Sequence, residues 1–259
     1  MIAVNSFKSN IPTQDIFMDD QHREVLARTG FVVENCGIFL LYGESGSGKS
    51  TIVRTFISKL DPSRYCICYI NNSRLTPKDL YSSVLESMSV VPYSLLSKVK
   101  KQYYEVASDA FKNHQKQLVV FIDNAQSLPV QTISEIRFMR GFEFDSMSPM
   151  ALILVGQPEL LPTLRLRTFE PLFYRINSQY HFKGLNQKQT SEYITQQLAL
   201  SGLSMLFPDD VSAKIWGRSK GLPQIINTIC TSCLIEMEAS SLNLVDHTIL
   251  ERVLADLQY

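Results

Sequence analysis

The segment from Gly43 to Thr51 combines the chemical groups that proteins use to bind a triphosphate. It reads GESGSGKST and matches the pattern Gly-x-x-x-x-Gly-Lys-[Ser/Thr] through Gly43, Gly48, Lys49 and Ser50. In such a loop the backbone amides turn inward on the phosphates, the lysine reaches the outer phosphates, and the hydroxyl ligates Mg²⁺. The pattern therefore predicts an ATP and magnesium site. The residues predicted to contact the nucleotide are Gly43, Glu44, Ser45, Gly46, Ser47, Gly48, Lys49, Ser50 and Thr51.

A second chemical signal is a carboxylate at the end of an apolar run. The run LVVFIDNAQ places Asp123 directly after five apolar residues. An aspartate at the carboxyl end of a buried strand can hold magnesium through water when it follows a phosphate-binding loop. Ser50 and Asp123 are therefore the predicted metal site.

The elements around these motifs predict an α/β protein with a parallel sheet. GIFLLYG forms a strand that leads into the loop, and Ile52, Val53 and Phe56 recur at the spacing of one helix face behind it. The runs CICYI, LVVFID and ALILVG alternate with helical patterns. Near-continuous apolar strands that alternate with helices are typical of a parallel sheet with both faces covered.

The pattern changes near residue 185. Four helical patterns follow, around 186–201, 208–219, 223–239 and 245–257, without a convincing strand. We therefore expect two domains, a nucleotide-binding domain with an irregular N-terminal arm over 1–184 and a small all-helical domain over 185–259.

Composition narrows the function classes. The chain has 259 residues, 45% hydrophobic and 19% charged, with a formal net charge of zero. This balance is typical of a folded globular protein, and any nucleic-acid contact must come from a local patch. The sequence lacks an apolar run of the roughly 18 residues that a membrane span needs. These observations predict a cytoplasmic protein with no membrane partner.

Several blocks in order resemble one family, the ExeA-like AAA+ ATPases with their transposon relatives of the TniB kind. The blocks are HREVLARTGFVV, LYGESGSGKST, LTPKDLYSSVL, VVFIDNAQSLP, LILVGQPEL and KGLPQIINTIC. The resemblance implies an AAA+ P-loop NTPase fold, an αβα sandwich followed by a helical lid, with ATP between them. It also implies a homo-oligomeric ring or filament.

The resemblance assigns roles to two further residues. Gln157 in LVGQPEL stands where the family has a polar sensor near the outer phosphate, although it could also only cap the end of a strand. Arg175 in EPLFYRINSQYHF resembles the arginine finger that reaches a neighbouring subunit's nucleotide, although a surface ion pair is the alternative.

Two departures from the family pattern concern turnover. Asn124 stands where the family usually has the glutamate that polarises the attacking water, and an amide cannot take that proton. Gln224 in GLPQ stands where the family usually has the arginine of its lid sensor, so we place Gln224 among the nucleotide-contacting residues. Both departures spare binding, and they predict an ATPase that is slow or needs a partner.

Lysines are concentrated before the Asp123 strand. Lys98, Lys100 and Lys101 could contact the phosphates of duplex DNA in the channel of an oligomer, or they could form the solvated face of a helix.

The family match suggests three functions. The leading hypothesis is an ATP-dependent oligomer that assembles on duplex DNA and regulates a transposase or integrase, with ATP as the link between subunits. The alternatives are a cytoplasmic ATPase or scaffold of a secretion or pilus assembly machine, and a degenerate nucleotide sensor.

Overall fold

The computed structural model describes residues 7, 11–72, 74–141, 148–204 and 206–257. These residues form two compact units. The first, the sheet unit, comprises His22–Gly43 and Lys49–His181. The second, the helical unit, comprises the described residues up to Gln21, Glu44–Gly48 and the described residues from Phe182 onward. The contacts thus assign the described part of the N-terminal arm and part of the glycine-rich loop to the helical unit, whereas the predicted domain division at 184/185 stays a prediction.

The sheet unit contains a five-stranded parallel sheet in the order β2-β3-β4-β1-β5. The strands are β1 (Ile38–Tyr42), β2 (Tyr65–Ile70), β3 (Gln117–Ile122), β4 (Met150–Gly156) and β5 (Ser178–His181). Strand β1 lies beside β4, with Tyr42 opposite Gly156, and β3 lies beside β4, with Ile122 opposite Leu154. The carboxyl ends of β1, β3 and β4 therefore meet at one edge of the sheet, as parallel strands require.

Helices cover both faces of this sheet, which confirms the predicted αβα sandwich. The helices that lie largely in the sheet unit are α1 (Asp20–Glu34), α2 (Lys49–Ile57), α3 (Pro77–Ser87), α4 (Leu96–His114), α5 (Val130–Met139), α6 (Leu160–Leu164) and α7 (Glu170–Phe173). Side chains alternate across a strand, so Ile38 and Leu40 of β1 pack in one core with α3, α4 and α5. Phe121 of β3 contacts Phe56 of α2, with ring centroids 6.2 Å apart.

The start of α3 agrees with the sequence in atomic detail. The Thr76 hydroxyl accepts a hydrogen bond from the backbone N–H of Asp79, and the Asp79 carboxylate accepts one from the backbone N–H of Thr76. Pro77 follows at the first helical position, where its missing N–H has no intrahelical partner to lose. Thr76 and Asp79 thus form a capping box, with Pro77 at the first helical position.

Strand β5 was not predicted from the sequence. Its four residues, SQYH, alternate between half-buried and exposed positions and contain no apolar run. The strand forms because the Ser178–His181 backbone pairs with Phe39–Tyr42 of β1. Tertiary pairing here outweighs a weak local preference.

The helical unit is built from α8 (Gln187–Leu200), α9 (Asp209–Ser219), α10 (Pro223–Ala239) and α11 (His247–Asp256), as the helical periodicity predicts. Ile215, Ile229 and Leu250 are fully buried in its core. The described part of the N-terminal arm packs on this unit, with the Phe17 ring edge-on to Tyr193 at 5.7 Å. Among the helices that the structure describes, none is long and apolar enough to cross a membrane.

Candidate nucleotide and magnesium site

The glycine-rich loop begins at Gly43, directly after β1, and helix α2 begins at Lys49. The backbone N–H of Gly43 donates to the carbonyl of Gly156 at the end of β4, over 3.2 Å, which fixes the start of the loop to the sheet. The side chain of Lys49 is buried, and its Nζ donates to the Gly43 carbonyl at 2.7 Å. The ammonium is thus positioned at the loop before a phosphate arrives.

Two glycines give the loop its shape. Gly46 and Gly48 have φ values of 76° and 103°, in the left-handed region that glycine enters without a steric penalty. A Cβ on Gly46 would lie 2.7 Å from the Cβ and from the Oε1 of Gln224, and the backbone N–H of Gln224 donates to the Gly46 carbonyl at 3.2 Å. The helical unit therefore brings Gln224, in the first turn of α10, directly against the loop. Its predicted contact with the nucleotide stays a prediction.

Ser50 and Asp123 form the centre of the predicted metal site. The Ser50 Oγ donates to the Asp123 Oδ2 at 2.7 Å, and the Asp123 residue is 4% exposed. Strand β3 brings the carboxylate to this place because it ends at Ile122, two strands from β1 in the sheet order. The structure thus joins the two residues that the sequence predicts as the metal site.

Tyr69 also belongs to this cluster, although no sequence motif marks it. Its hydroxyl donates to the same Asp123 Oδ2 at 2.7 Å. Burial raises the pKa of the Tyr69 phenol well above its usual value, and the hydrogen bond to Asp123 raises it further, so the phenol keeps its proton. The signal available in the sequence was strand alternation, which turns Tyr69 away from its buried neighbours Cys68 and Ile70.

Side-chain amides surround the position that follows Asp123. Asn124 has a φ of 55°, a left-handed conformation that asparagine tolerates better than most residues. Its Nδ2 donates to the Asn71 Oδ1 at 2.8 Å, and its Oδ1 accepts from the Gln126 Nε2 at 3.5 Å. The Gln126 Oε1 in turn accepts from the backbone N–H of Gln157 at 3.1 Å. Amides therefore link the ends of β2, β3 and β4, and sequence reasoning missed Asn71 and Gln126.

Gln157 and Arg175 lie at different places relative to this cluster. Gln157 is half-buried and directly follows β4, which lies between β3 and β1 in the sheet. Arg175 is half-buried after α7 and precedes β5 at the edge of the sheet. The roles of both side chains stay predictions.

The three lysines predicted to contact DNA differ in their surroundings. Lys100 is bound within the chain, because its Nζ lies 2.7 Å from the Glu135 carboxylate and 5.7 Å from the Tyr81 ring centroid. Lys98 is exposed. Lys101 is exposed and lies 3.8 Å from Glu105. Lys98 and Lys101 fit the predicted contacts better than Lys100, whose charge already has an intramolecular role.

The donor set fits ATP with magnesium. Since the Ser50 hydroxyl donates a hydrogen bond to Asp123, its oxygen lone pairs remain available to a cation. Hydroxyl and carboxylate oxygens are ligands that Mg²⁺ prefers, and the Lys49 ammonium is a positive charge suited to phosphates.

Comparison with protein families and curated proteins identifies relatives. A family model described as "AAA domain" matches residues 33–164. General secretion pathway protein A of Aeromonas hydrophila is 29% identical over 236 residues, which are 90% of this chain and 43% of that protein. The chain therefore spans less than half the length of that relative.

Solved structures share the fold at low sequence identity. Drosophila ORC bound to DNA has a TM-score of 0.73 at 16% identity, over 100% of this chain and 65% of that chain. Aeropyrum pernix ORC2 in ADPNP–ADP complexes has a TM-score of 0.71 at 12% identity, over 96% and 70%. The Thermotoga maritima RuvB Holliday junction branch migration motor has a TM-score of 0.57 at 16% identity, over 91% and 69%.

Proposed function

We propose, from the premise that this chain belongs to the AAA domain family, that it binds ATP with Mg²⁺ at residues 43–51 and hydrolyses it slowly. The observation that carries the proposal is the 2.7 Å hydrogen bond from Ser50 to Asp123, together with the buried Lys49, whose Nζ bonds the Gly43 carbonyl at the start of the loop. A hydroxyl, a carboxylate and an ammonium of this kind grip a triphosphate and its cation together.

Different residues of the proposed site would bind the nucleotide and take part in its hydrolysis. The Lys49 ammonium and the loop amides would hold the phosphates, and Ser50 with Asp123 would hold the cation. A bound magnesium ion would neutralise part of the phosphate charge. Asn124 can orient a water through its Oδ1 but cannot take its proton, so the general-base contribution of about 100-fold is missing. We therefore expect the protein to bind ATP with magnesium firmly but to hydrolyse it slowly.

Removal of the Ser50 hydroxyl tests the metal half of this proposal. We expect Ser50→Ala to weaken the magnesium-dependent part of ATP binding by about tenfold or more, because even outer-sphere partners of a metal contribute 10- to 100-fold to its affinity. The measurement is a titration of a fluorescent ATP analogue with MgCl₂ or with EDTA. Ser58→Ala is the matched control, since Ser58 follows α2 and its hydroxyl donates to the Thr55 carbonyl of the same turn. Wild-type binding that EDTA leaves unchanged would contradict the proposal.

We further propose that ATP links copies of the chain, with Arg175 contacting the nucleotide of a neighbour. An arginine finger stabilises the charge of the outer phosphate across an interface. Because the contact joins two copies through the nucleotide, it would make assembly depend on ATP. The alternative for the whole assembly, a scaffold of a secretion machine, is favoured by the likeness to General secretion pathway protein A. Assembly on DNA draws support from the fold shared with Drosophila ORC bound to DNA, and regulation of a transposase stays a prediction.

Sedimentation experiments separate these alternatives. With ATP and magnesium, Arg175→Ala should need about tenfold more protein to assemble than the wild type, since one charge-assisted phosphate contact is lost. Arg167→Ala, at an exposed position nearby in sequence, is the control. Equal assembly of both variants would refute the role of Arg175. Parallel runs with a short duplex DNA decide the partner: co-sedimentation of DNA only with ATP supports the DNA hypothesis, and assembly without DNA retention supports the scaffold.

A further inference from the structure

The Asp123 carboxylate has an unusually complete set of hydrogen bonds for a group expected to face a cation. Its Oδ2 accepts from the Ser50 Oγ and from the Tyr69 hydroxyl, both at 2.7 Å. Its Oδ1 accepts from the backbone N–H of Asn124 at 2.8 Å. A carboxylate offers about four lone-pair sites in all. Among the described residues, these bonds occupy three of them, and the one that remains is on Oδ1.

Tyr69 is held in this place by the sheet. It lies opposite Phe121 in the pairing of β2 with β3, and Asp123 is two residues beyond Phe121, so both side chains extend from the same face near the strand ends. This is the face on which Phe121 contacts Phe56 of α2. The neighbours Cys68 and Ile70 extend to the opposite face and pack with α3 and α4. The phenol therefore reaches Asp123 from a rigid strand, although 45% of the Tyr69 residue is exposed.

We propose that Tyr69 is a positioning residue of the magnesium site, whose hydroxyl holds the Asp123 carboxylate so that its Oδ1 stays available to a water ligand of the cation. The inference rests on the proposed function, since it requires a cation at Ser50 and Asp123. Loss of the phenol hydroxyl would leave Ser50 as the remaining side-chain donor to Oδ2. The Ser50 hydroxyl and the Asn124 backbone N–H would still hold the carboxylate, but with one donor fewer on Oδ2 its tilt, and with it the position of Oδ1, would be less sharply defined.

Such a role makes the site selective between cations. Magnesium demands near-ideal octahedral geometry and short bonds, whereas calcium accepts longer bonds and variable coordination. A carboxylate whose position is less sharply defined therefore penalises magnesium more than calcium. A purely structural role for Tyr69 would instead change the affinity for both cations alike, because it would alter the whole loop.

The experiment compares Tyr69→Phe with Tyr65→Phe in the full chain. Both variants keep the ring and lose one hydroxyl from β2, but only the Tyr69 hydroxyl bonds Asp123. The probe is a fluorescent ATP analogue whose binding is titrated with MgCl₂ and, separately, with CaCl₂. We expect Tyr69→Phe to raise the half-saturating magnesium concentration about tenfold, the usual effect of losing a residue that orients a metal ligand. The half-saturating calcium concentration should change by less than about threefold, and Tyr65→Phe should match the wild type.

Each outcome has one interpretation. An equal shift for magnesium and calcium, or a Tyr69→Phe titration identical to that of Tyr65→Phe, would overturn the positioning role while leaving the ATP site intact. A wild type whose nucleotide binding ignores both cations would overturn the proposed function itself. Thermal unfolding of each variant without nucleotide confirms that the proteins compared are folded.

Discussion

Lys49→Ala is expected to weaken binding of ATP with magnesium by about 100-fold. Hydrogen bonds to charged groups contribute about 1.5–3 kcal/mol each, and 1.4 kcal/mol corresponds to a factor of ten in affinity. The Lys49 side chain is buried and its Nζ already bonds the Gly43 carbonyl, so little conformational freedom is lost when phosphates bind. The alanine variant loses both the charge and this preorganisation.

Isothermal titration calorimetry with ATP and MgCl₂ measures the effect. Lys59→Ala is the matched control, because Lys59 lies just beyond the end of α2 and is exposed. The control should bind as the wild type does. If Lys49→Ala and Lys59→Ala had the same affinity, the loop would not be the phosphate site, and the assignment of residues 43–51 would be wrong.

Asn124→Glu is expected to raise the rate of ATP hydrolysis by about 100-fold, the usual contribution of a general base. The substitution places a carboxylate directly after the metal-site aspartate, where the wild type has an amide that bonds Asn71. The Asn71 amide can turn its Nδ2 toward the new carboxylate, so the partner at the end of β2 is retained. Phosphate release at saturating ATP measures the rate.

Asn124→Gln separates the effect of the base from that of strain. At position 124 the φ of 55° is left-handed, which costs most residues about 1–2 kcal/mol and asparagine less. Both variants should therefore lose a similar free energy of unfolding, measured with urea, while only the glutamate gains a base. Hydrolysis by Asn124→Glu that stays at the wild-type rate would show that the missing base does not limit turnover.

Of the amides around Asn124, the sequence predicted some features and not others. The missing base at position 124 was predicted from the resemblance to a family that usually has glutamate after the aspartate, where this sequence has Asn124. Asn71 and Gln126, which hold the amide, carry no motif. Asn71 contacts Asn124 only because β2 pairs with β3, and this pairing joins segments more than forty residues apart in the chain. Such contacts depend on strand order, which local patterns do not encode.

Gln224 is a similar case in the helical unit. The sequence marked it through GLPQ, and α10 begins at Pro223 as expected. That its side chain would lie where a Cβ on Gly46 would fall could not be inferred, because it depends on how α10 packs against the loop. Strand β5 could not be predicted from the sequence either, because its residues contain no apolar run and form a strand through pairing with β1.

The sequence by itself determined the glycine-rich loop after β1, the Asp123 strand end, the α3 capping box, the parallel sheet and the helical region after residue 185. These features rest on short-range chemistry: backbone turns, caps and apolar periodicity act within one or two turns of chain. Only the tertiary structure decided that Tyr69 would share the Asp123 carboxylate with Ser50, that amides would join three strand ends, and that Lys100 would be bound to Glu135. Polar side chains of this kind acquire a role from their neighbours in space, since a hydrogen bond forms only within about 3.5 Å.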